Sequence, residues 1–118
     1  MDIDGTTILV TGGAGMIGSA TVDLLLRDHP GTRIVILDDL SRGTTANIES
    51  ALQHPRVRFV LGDICDAATV GNACRNVDAV IHLAALRITA CAAVVAGLLA
   101  TRIKLRKAGR TTGACAYP

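Results

Sequence analysis

The amino-acid sequence predicts an α/β fold: a parallel, doubly wound sheet of about four strands in the order 3-2-1-4, with helices on both faces. Three observations lead to this prediction. Short apolar runs alternate with segments of helical periodicity, and right-handed crossovers are expected between them. The chain has 118 residues, enough for one domain. Half of these are apolar, but only Phe59 and Tyr117 are aromatic, a composition typical of buried parallel strands.

The first strand, helix and second strand occupy residues 6–38. An apolar and β-branched run at 6–11 stops at glycine, as a buried strand does. Residues 16–28 carry apolar side chains at helical spacing, and His29-Pro30-Gly31 ends that pattern. The run at 33–38 supplies the second strand.

The remaining elements continue the alternation. A helix is predicted at about 45–53, a strand at 57–62, a short helix with Asp66 as its N-cap, and a fourth strand at 78–83. In such a sheet ligands bind where the strand order reverses, which is at the carboxyl ends of strands 1 and 4.

A glycine-rich segment joins the first strand to the first helix. Residues 12–18 read Gly-Gly-Ala-Gly-Met-Ile-Gly and contain both G-x-G-x-x-G and G-x-x-G-x-x-G. Glycines there permit a tight turn, a close backbone approach to a pyrophosphate and close helix packing. Free N–H groups and the helix dipole favour phosphate charge. An ordinary glycine turn is the alternative, but the strand-loop-helix context favours dinucleotide binding by a Rossmann-type fold.

An acidic residue follows at the expected distance. Asp38 ends the second strand, 20 residues beyond Gly18, where a carboxylate can accept hydrogen bonds from the adenosine ribose. Its charge would repel a 2′-phosphate, which favours NAD over NADP, although the nearby Arg42 is an opposing signal. The alternative role for Asp38 is that of a loop carboxylate or helix-entry residue.

Four motifs in order resemble the NAD-dependent epimerase/dehydratase group of the extended short-chain dehydrogenases/reductases, typified by UDP-glucose 4-epimerase. They are TGGAGMIGS at 11–19, LDDLSRG at 37–43, GDICD at 62–66 and DAVIHLAAL at 78–86. The resemblance covers roughly residues 6–89 and implies the N-terminal part of an NAD-binding domain, residues 1–89.

The resemblance also implies which residues hold NAD. They are Gly12, Gly15, Met16, Ile17 and Gly18 at the pyrophosphate; Asp38, Asp39, Ser41, Arg42 and Gly43 at the adenosine ribose; Asp63 and Ile64 at the adenine; and Leu83, Ala84, Ala85 and Arg87 near the nicotinamide ribose. Alternatively, Asp63 caps the turn after strand 3, and residues 83–85 are plain core. His82 is interpreted as a hydrogen-bonded core residue without a proton-transfer role.

No catalytic residue and no metal site are predicted. The family implies a Tyr-x-x-x-Lys pair for acid/base work. The single tyrosine is Tyr117, and Ala100 and Ile103 stand four positions before Lys104 and Lys107. We therefore expect the NAD(H)-binding portion of a sugar-nucleotide epimerase or dehydratase, inactive by itself, with the nucleotide sugar bound only in full-length relatives. The alternative is a non-catalytic dinucleotide-binding or redox-sensing module.

Residues 90–118 differ in character from the rest. All 10 acidic side chains lie within residues 1–78, whereas residues 79–118 hold 6 basic ones and no acid. An apolar helix followed by a basic tail is expected there, and a frameshift or premature stop in a longer gene would explain the change. The apolar run at 88–100 is shorter than the about 20 residues of a membrane helix. The basic stretch lacks interleaved aromatics, so no nucleic-acid role is expected.

The cellular compartment is predicted from the N-terminal sequence and the spacing of the cysteines. No signal peptide is recognised, so the protein is expected in the cytoplasm. Its cysteines, at 65, 74, 91 and 115, form neither a CxxC nor a zinc pattern and are expected to be thiols. The fourth strand is an open edge, which predicts homo-oligomerisation or aggregation.

Overall fold

A computed structural model describes residues 3–84 of the chain. In order, the elements are β1 Thr7–Thr11, α1 Met16–Asp28, β2 Arg33–Asp38, a 3₁₀ turn Thr45–Ile48 that leads into α2 Glu49–Leu52, β3 Val57–Leu61, α3 Ala67–Ala73 and β4 Ala79–His82. The domain boundary at 89, the apolar helix and the basic tail lie outside the described residues.

The four strands form one parallel sheet in the order β3-β2-β1-β4. This order confirms the predicted 3-2-1-4 topology. Thr11 at the end of β1 lies beside Leu37 of β2 and His82 of β4. Because the order reverses at β1, the carboxyl ends of β1 and β4 flank a crevice. Within the described residues β4 pairs with β1 alone, and association through that edge stays a prediction.

Apolar layers cover both faces of the sheet. Leu9 and Val35 point to the side of α3, where Val70 is also buried. Val10 and Ile36 point to the opposite side, which α1 and α2 cover. This division follows from the alternation of side chains along a strand. Burial on both faces explains why the strands read as continuous apolar runs in the sequence.

The helical segments agree with the sequence except after β2. The helix predicted at about 45–53 is a 3₁₀ turn followed by an α-helix of only 4 residues. Ile48 and Ala51 are its buried side chains, and so few apolar contacts do not hold a longer helix. The predicted N-cap of α3 is confirmed, because the Asp66 side chain accepts a hydrogen bond from the Ala68 N–H at 3.1 Å.

The two cysteines in the described region differ. Cys74 is a buried thiol, in line with the expectation. Cys65 is disulfide-bonded, so the expectation of a thiol at that position is wrong. The difference follows their settings, because Cys65 is exposed in the loop after β3, whereas Cys74 packs in the core below α3.

Candidate functional site

The glycine turn brings the end of β1 against the start of α1 and the end of β4. Gly12 has a φ of 71°, and a Cβ at this position would lie 2.7 Å from the Ala84 nitrogen. A Cβ at Gly18 would collide with the carbonyl oxygen of Gly12. Only glycine fits either position, so these two residues allow α1 to begin immediately beside the sheet.

The amino end of α1 is open toward solvent. Gly15 is its N-cap, no side chain caps the helix, and no acidic residue lies in its first turn. None of the described residues accepts a hydrogen bond from the N–H groups of Met16, Ile17 or Gly18. These donors, together with the positive end of the helix dipole, form a ready place for an anion.

The carboxylate of Asp38 fixes the glycine turn to the end of β2. One oxygen, Oδ2, accepts a hydrogen bond from the Ala14 N–H at 3.0 Å, and Oδ1 accepts one from the Leu40 N–H at 2.8 Å. The side chain is buried, with 8% of its residue surface exposed. Because a carboxylate has about four acceptor positions, each oxygen can accept a further bond. Asp38 therefore acts as a loop carboxylate, which was the alternative role. Its remaining acceptor positions are compatible with the predicted hydrogen bonds to the ribose.

Asn47 holds the other side of the glycine turn. Its side-chain amide donates to the Ala14 carbonyl at 2.8 Å, and the Thr44 N–H donates to the same oxygen at 3.2 Å. Ala14 is thus bound through its N–H by Asp38 and through its carbonyl by the segment before α2. Asn47 was not predicted from the sequence, because no motif marks it and its partner lies 33 positions away.

Two further carboxylates shape the loops after β2 and β3. The Asp39 carboxylate accepts from the Ser41 N–H at 2.9 Å, and the hydroxyl and amide of Ser41 lower the pKa of Asp39 below its usual value. Asp63 accepts from the Cys65 N–H at 2.9 Å, so it caps the turn after β3 as the alternative interpretation held. Both loops therefore present fixed carboxylates.

Thr11 and His82 order the end of β4. The buried Thr11 hydroxyl accepts hydrogen bonds from the N–H groups of Leu83 at 3.1 Å and Ala84 at 3.3 Å, and it pairs with Nδ1 of His82. Partial burial lowers the pKa of His82, which favours the neutral imidazole. The interpretation of His82 as a hydrogen-bonded residue is confirmed, although the ring is only half-buried.

These elements enclose a cleft of about 280 Å³ at the point where the strand order reverses. Fourteen of the residues predicted to hold NAD line it: Gly12, Gly15, Met16, Ile17, Gly18, Asp38, Asp39, Ser41, Arg42, Gly43, Asp63, Ile64, Leu83 and Ala84. Leu37 and Gly62 also line it and were missed, although they directly precede Asp38 and Asp63 in the chain. Ala85 and Arg87 lie outside the described residues.

Within residues 3–84, no group of His, Cys, Asp and Glu side chains has the arrangement of a metal site. In the same part of the chain, each helix is too short or too polar to cross a membrane.

A parallel sheet in this order, with a glycine turn leading into an uncapped helix at the switch point, defines a Rossmann-type nucleotide-binding fold. The sequence profile of the NAD dependent epimerase/dehydratase family matches residues 8–97, and the chain belongs to that family. The resemblance stated from the motifs is thereby confirmed. The matched segment continues past residue 89, where the sequence predicted a boundary.

Known relatives agree with this assignment. A dTDP-glucose 4,6-dehydratase of Mycobacterium tuberculosis is 42% identical over 82 residues, covering 66% of this chain and 23% of the relative. A UDP-glucose 4-epimerase of Mycolicibacterium smegmatis is 46% identical over 78 residues, covering 65% of this chain and 24% of the relative. The crystal structure of a Bacillus anthracis dTDP-glucose 4,6-dehydratase in complex with NAD superposes with a TM-score of 0.72 and 29% identity, covering 86% of this chain and 34% of that one.

The chain therefore spans about a quarter of the length of the curated relatives it matches, namely 23% and 24%. The predicted cofactor is confirmed at the level of the family, which is NAD-dependent.

Proposed function

We propose that this chain binds NAD in the cleft between the glycine turn and the ends of β2, β3 and β4. One observation carries the proposal: the uncapped amino end of α1 and the buried carboxylate of Asp38 lie on the same cleft. The first offers N–H donors to a pyrophosphate, and the second offers acceptors to the adjoining ribose. A dinucleotide carries these two groups next to each other.

The parts of NAD would be distributed along the cleft as follows. The N–H groups of residues 16–18, which have no acceptor among the described residues, would bind the pyrophosphate. Gly15 would leave the approach open, because a Cβ there would meet only the Gly12 oxygen, at 3.3 Å. Asp38 would accept from the adenosine ribose, and the loop with Asp63 and Ile64 would flank the adenine. Leu83 and Ala84, held by Thr11, would support the nicotinamide ribose.

The charge of the site favours NAD over NADP. Asp38 accepts hydrogen bonds from backbone N–H groups through both of its oxygens and lines the cleft. A 2′-phosphate at the ribose would face this carboxylate and that of Asp39, whose pKa is lowered by Ser41. Arg42 lines the same cleft but is exposed, and a screened surface cation offsets only part of that repulsion.

We further propose that the chain is the cofactor-binding portion of a sugar-nucleotide epimerase or dehydratase. The relatives named above are such enzymes, and the family is NAD dependent. The sequence contains no Tyr-x-x-x-Lys pair. We therefore expect the chain by itself to bind the cofactor without turning over a nucleotide sugar.

Calorimetric titration of the chain with NAD and with NADP tests the proposal. We expect saturable binding of NAD and at least tenfold weaker binding of NADP. The substitution Asp38→Asn should weaken NAD binding by about tenfold or more, because a hydrogen bond to a charged group contributes about 1.5–3 kcal/mol. Asp23→Asn, an exposed carboxylate on α1 away from the cleft, is the matched control and should bind like the wild type.

A turnover assay separates the cofactor-binding portion from a complete enzyme. With NAD and either dTDP-glucose or UDP-glucose, the chain should form no product. Product formation would contradict the proposed lack of turnover but would not contradict the proposed NAD site. Absence of NAD binding at millimolar concentration would refute both the enzyme-portion proposal and the alternative of a non-catalytic dinucleotide module.

A further inference from the structure

A second cleft lies at the opposite end of the sheet from the glycine turn. It has a volume of about 350 Å³ and lies among the amino ends of β1, β2 and β3 and the residues that follow α3. Four of its lining residues are arginines, namely Arg33, Arg56, Arg58 and Arg75, and we call it the arginine cleft. Its volume is within the range of small-molecule sites, roughly 300–1,000 Å³.

The strand register brings the arginines together. Arg58 of β3 pairs with Val35 of β2, and Arg33 stands two positions before Val35, so both arginines lie on the face of the sheet that α3 covers. Arg75 stands two positions after the last residue of α3 and lines the cleft from that side. Three elements distant in sequence thus contribute a cation to one place.

Arg56 is fixed in place by backbone carbonyls. Its guanidinium donates to the carbonyls of His29 at 3.0 Å, Thr32 at 2.7 Å and Leu26 at 3.2 Å, all at or just after the end of α1. The negative end of the helix dipole stabilises this charge. Arg56 therefore supports the wall of the cleft and adds positive potential to it.

The other three arginines have no such partners within residues 3–84. Arg33, Arg58 and Arg75 are exposed, and none forms a side-chain hydrogen bond or an ion pair with a described residue. No carboxylate lines the cleft. The neighbouring Asp78 accepts from the Thr7 N–H at 2.9 Å, at the margin. Like charges gathered without compensation are mutually unfavourable, and an anion among them would remove that cost.

We propose that the arginine cleft is a second anion site, which binds the phosphate group of inorganic phosphate or of a phosphate monoester. Guanidinium groups present paired N–H donors that match phosphate oxygens, and Asn72 offers a further amide on the same wall. The site is separate from the glycine turn, because β2 spans about 17 Å from Arg33 to Asp38. It does not depend on the binding of NAD.

Nuclear magnetic resonance of the labelled full chain tests this site. Inorganic phosphate and glycerol phosphate are titrated separately, with sodium chloride adjusted to constant ionic strength, and the arginine Nε–H and backbone amide signals are followed. We expect saturable shifts at Arg33, Arg58 and Arg75 with each probe. Tighter binding of one probe would show whether the free ion or the monoester is the preferred source, and either result supports the proposal.

Variants localise the binding. Arg58→Gln and Arg75→Gln should each weaken phosphate binding at these signals by about tenfold, as expected for loss of one charge-assisted contact. Arg27→Gln removes an equal charge from an exposed position on α1 and should leave the affinity within about twofold. Shifts confined to residues 12–18 or to the basic tail, or equal losses in all three variants, would overturn the proposal.

Discussion

The Thr11 hydroxyl and the His82 imidazole form a hydrogen bond that joins the carboxyl ends of β1 and β4. The Thr11 oxygen already accepts from the N–H groups of Leu83 and Ala84, so its single proton is left for Nδ1 of His82. An unprotonated Nδ1 requires a neutral ring with its proton on Nε2. The pair thus fixes both the histidine tautomer and the backbone that lines the cleft.

Removing the Thr11 hydroxyl should destabilise the fold. Thr11→Val keeps the shape but leaves two backbone N–H groups and the His82 ring without their partner, at a cost of about 1–3 kcal/mol in the free energy of unfolding. Thr11→Ser retains the hydroxyl and loses only a methyl group, worth about 1 kcal/mol. Urea denaturation measures both. A Thr11→Val variant as stable as the wild type would show that the hydroxyl contributes nothing.

Acidification should weaken the fold through His82. Burial in the folded protein lowers the pKa of His82 below its ordinary value of 6.5, so the unfolded chain binds the proton more readily. The contribution of the neutral ring is fully present above about pH 6.5 and is lost as the pH falls through the folded pKa. The free energy of unfolding should therefore decrease as the pH is lowered from about 7.5, which lies above the histidine range, to about 5.

The substitution His82→Gln is the comparison for that pH dependence. It should flatten the decline near pH 6, in the range where an ordinary histidine titrates. A slope identical to that of the wild type would show that His82 does not cause the decline. Nitrogen-15 spectra of the His82 ring would report the predicted Nε2–H tautomer independently.

A methyl group at Gly18 should disrupt the glycine turn. The Cβ of Gly18→Ala would collide with the Gly12 carbonyl, and overpacking of this kind costs about 1–3 kcal/mol. We expect lower stability and loss of NAD binding. Gly71→Ala is the control, because a Cβ there has no described atom within 4 Å and alanine favours the helix interior. Wild-type behaviour of Gly18→Ala in both assays would contradict the close approach of α1 to the sheet.

Asn47 should matter for the cofactor although it does not line the cleft. Asn47→Ala removes the donor to the Ala14 carbonyl, at an expected cost of about 0.5–1.5 kcal/mol in stability. The loosened turn should weaken NAD binding several-fold in calorimetry. Ser50→Ala, an exposed position on α2, should change neither quantity. NAD affinity unchanged in Asn47→Ala would show that Asp38 and Thr44 position the turn without Asn47.

The sheet order and most of the cleft could be predicted because their signals are local in sequence. Val10 and Ile36 belong to apolar runs that only a doubly covered strand explains, and Gly18 lies in a spaced glycine motif. Parallel topology then brings the loops after β1, β2, β3 and β4 to one edge. The residues that line the cleft follow from these facts together with the family resemblance.

The rest depends on contacts that no local pattern encodes. Asn47 meets Ala14 across 33 positions, and the Thr11 hydroxyl meets His82 across 71. The segment before α2 forms a 3₁₀ turn because its contact with the glycine turn, in which the Thr44 N–H donates to the Ala14 carbonyl, overrides its own helical preference. The arginine cleft likewise appears only when β2, β3 and α3 are assembled.

The most direct test is a titration of the isotope-labelled full chain with NAD, followed at each backbone amide. We expect saturable shifts at residues 12–18 and 38–43, with a dissociation constant of about 1 mM or lower. Amide signals of these residues that stay unchanged at millimolar NAD, in a chain whose spectrum shows a folded sheet, would contradict the proposed NAD site.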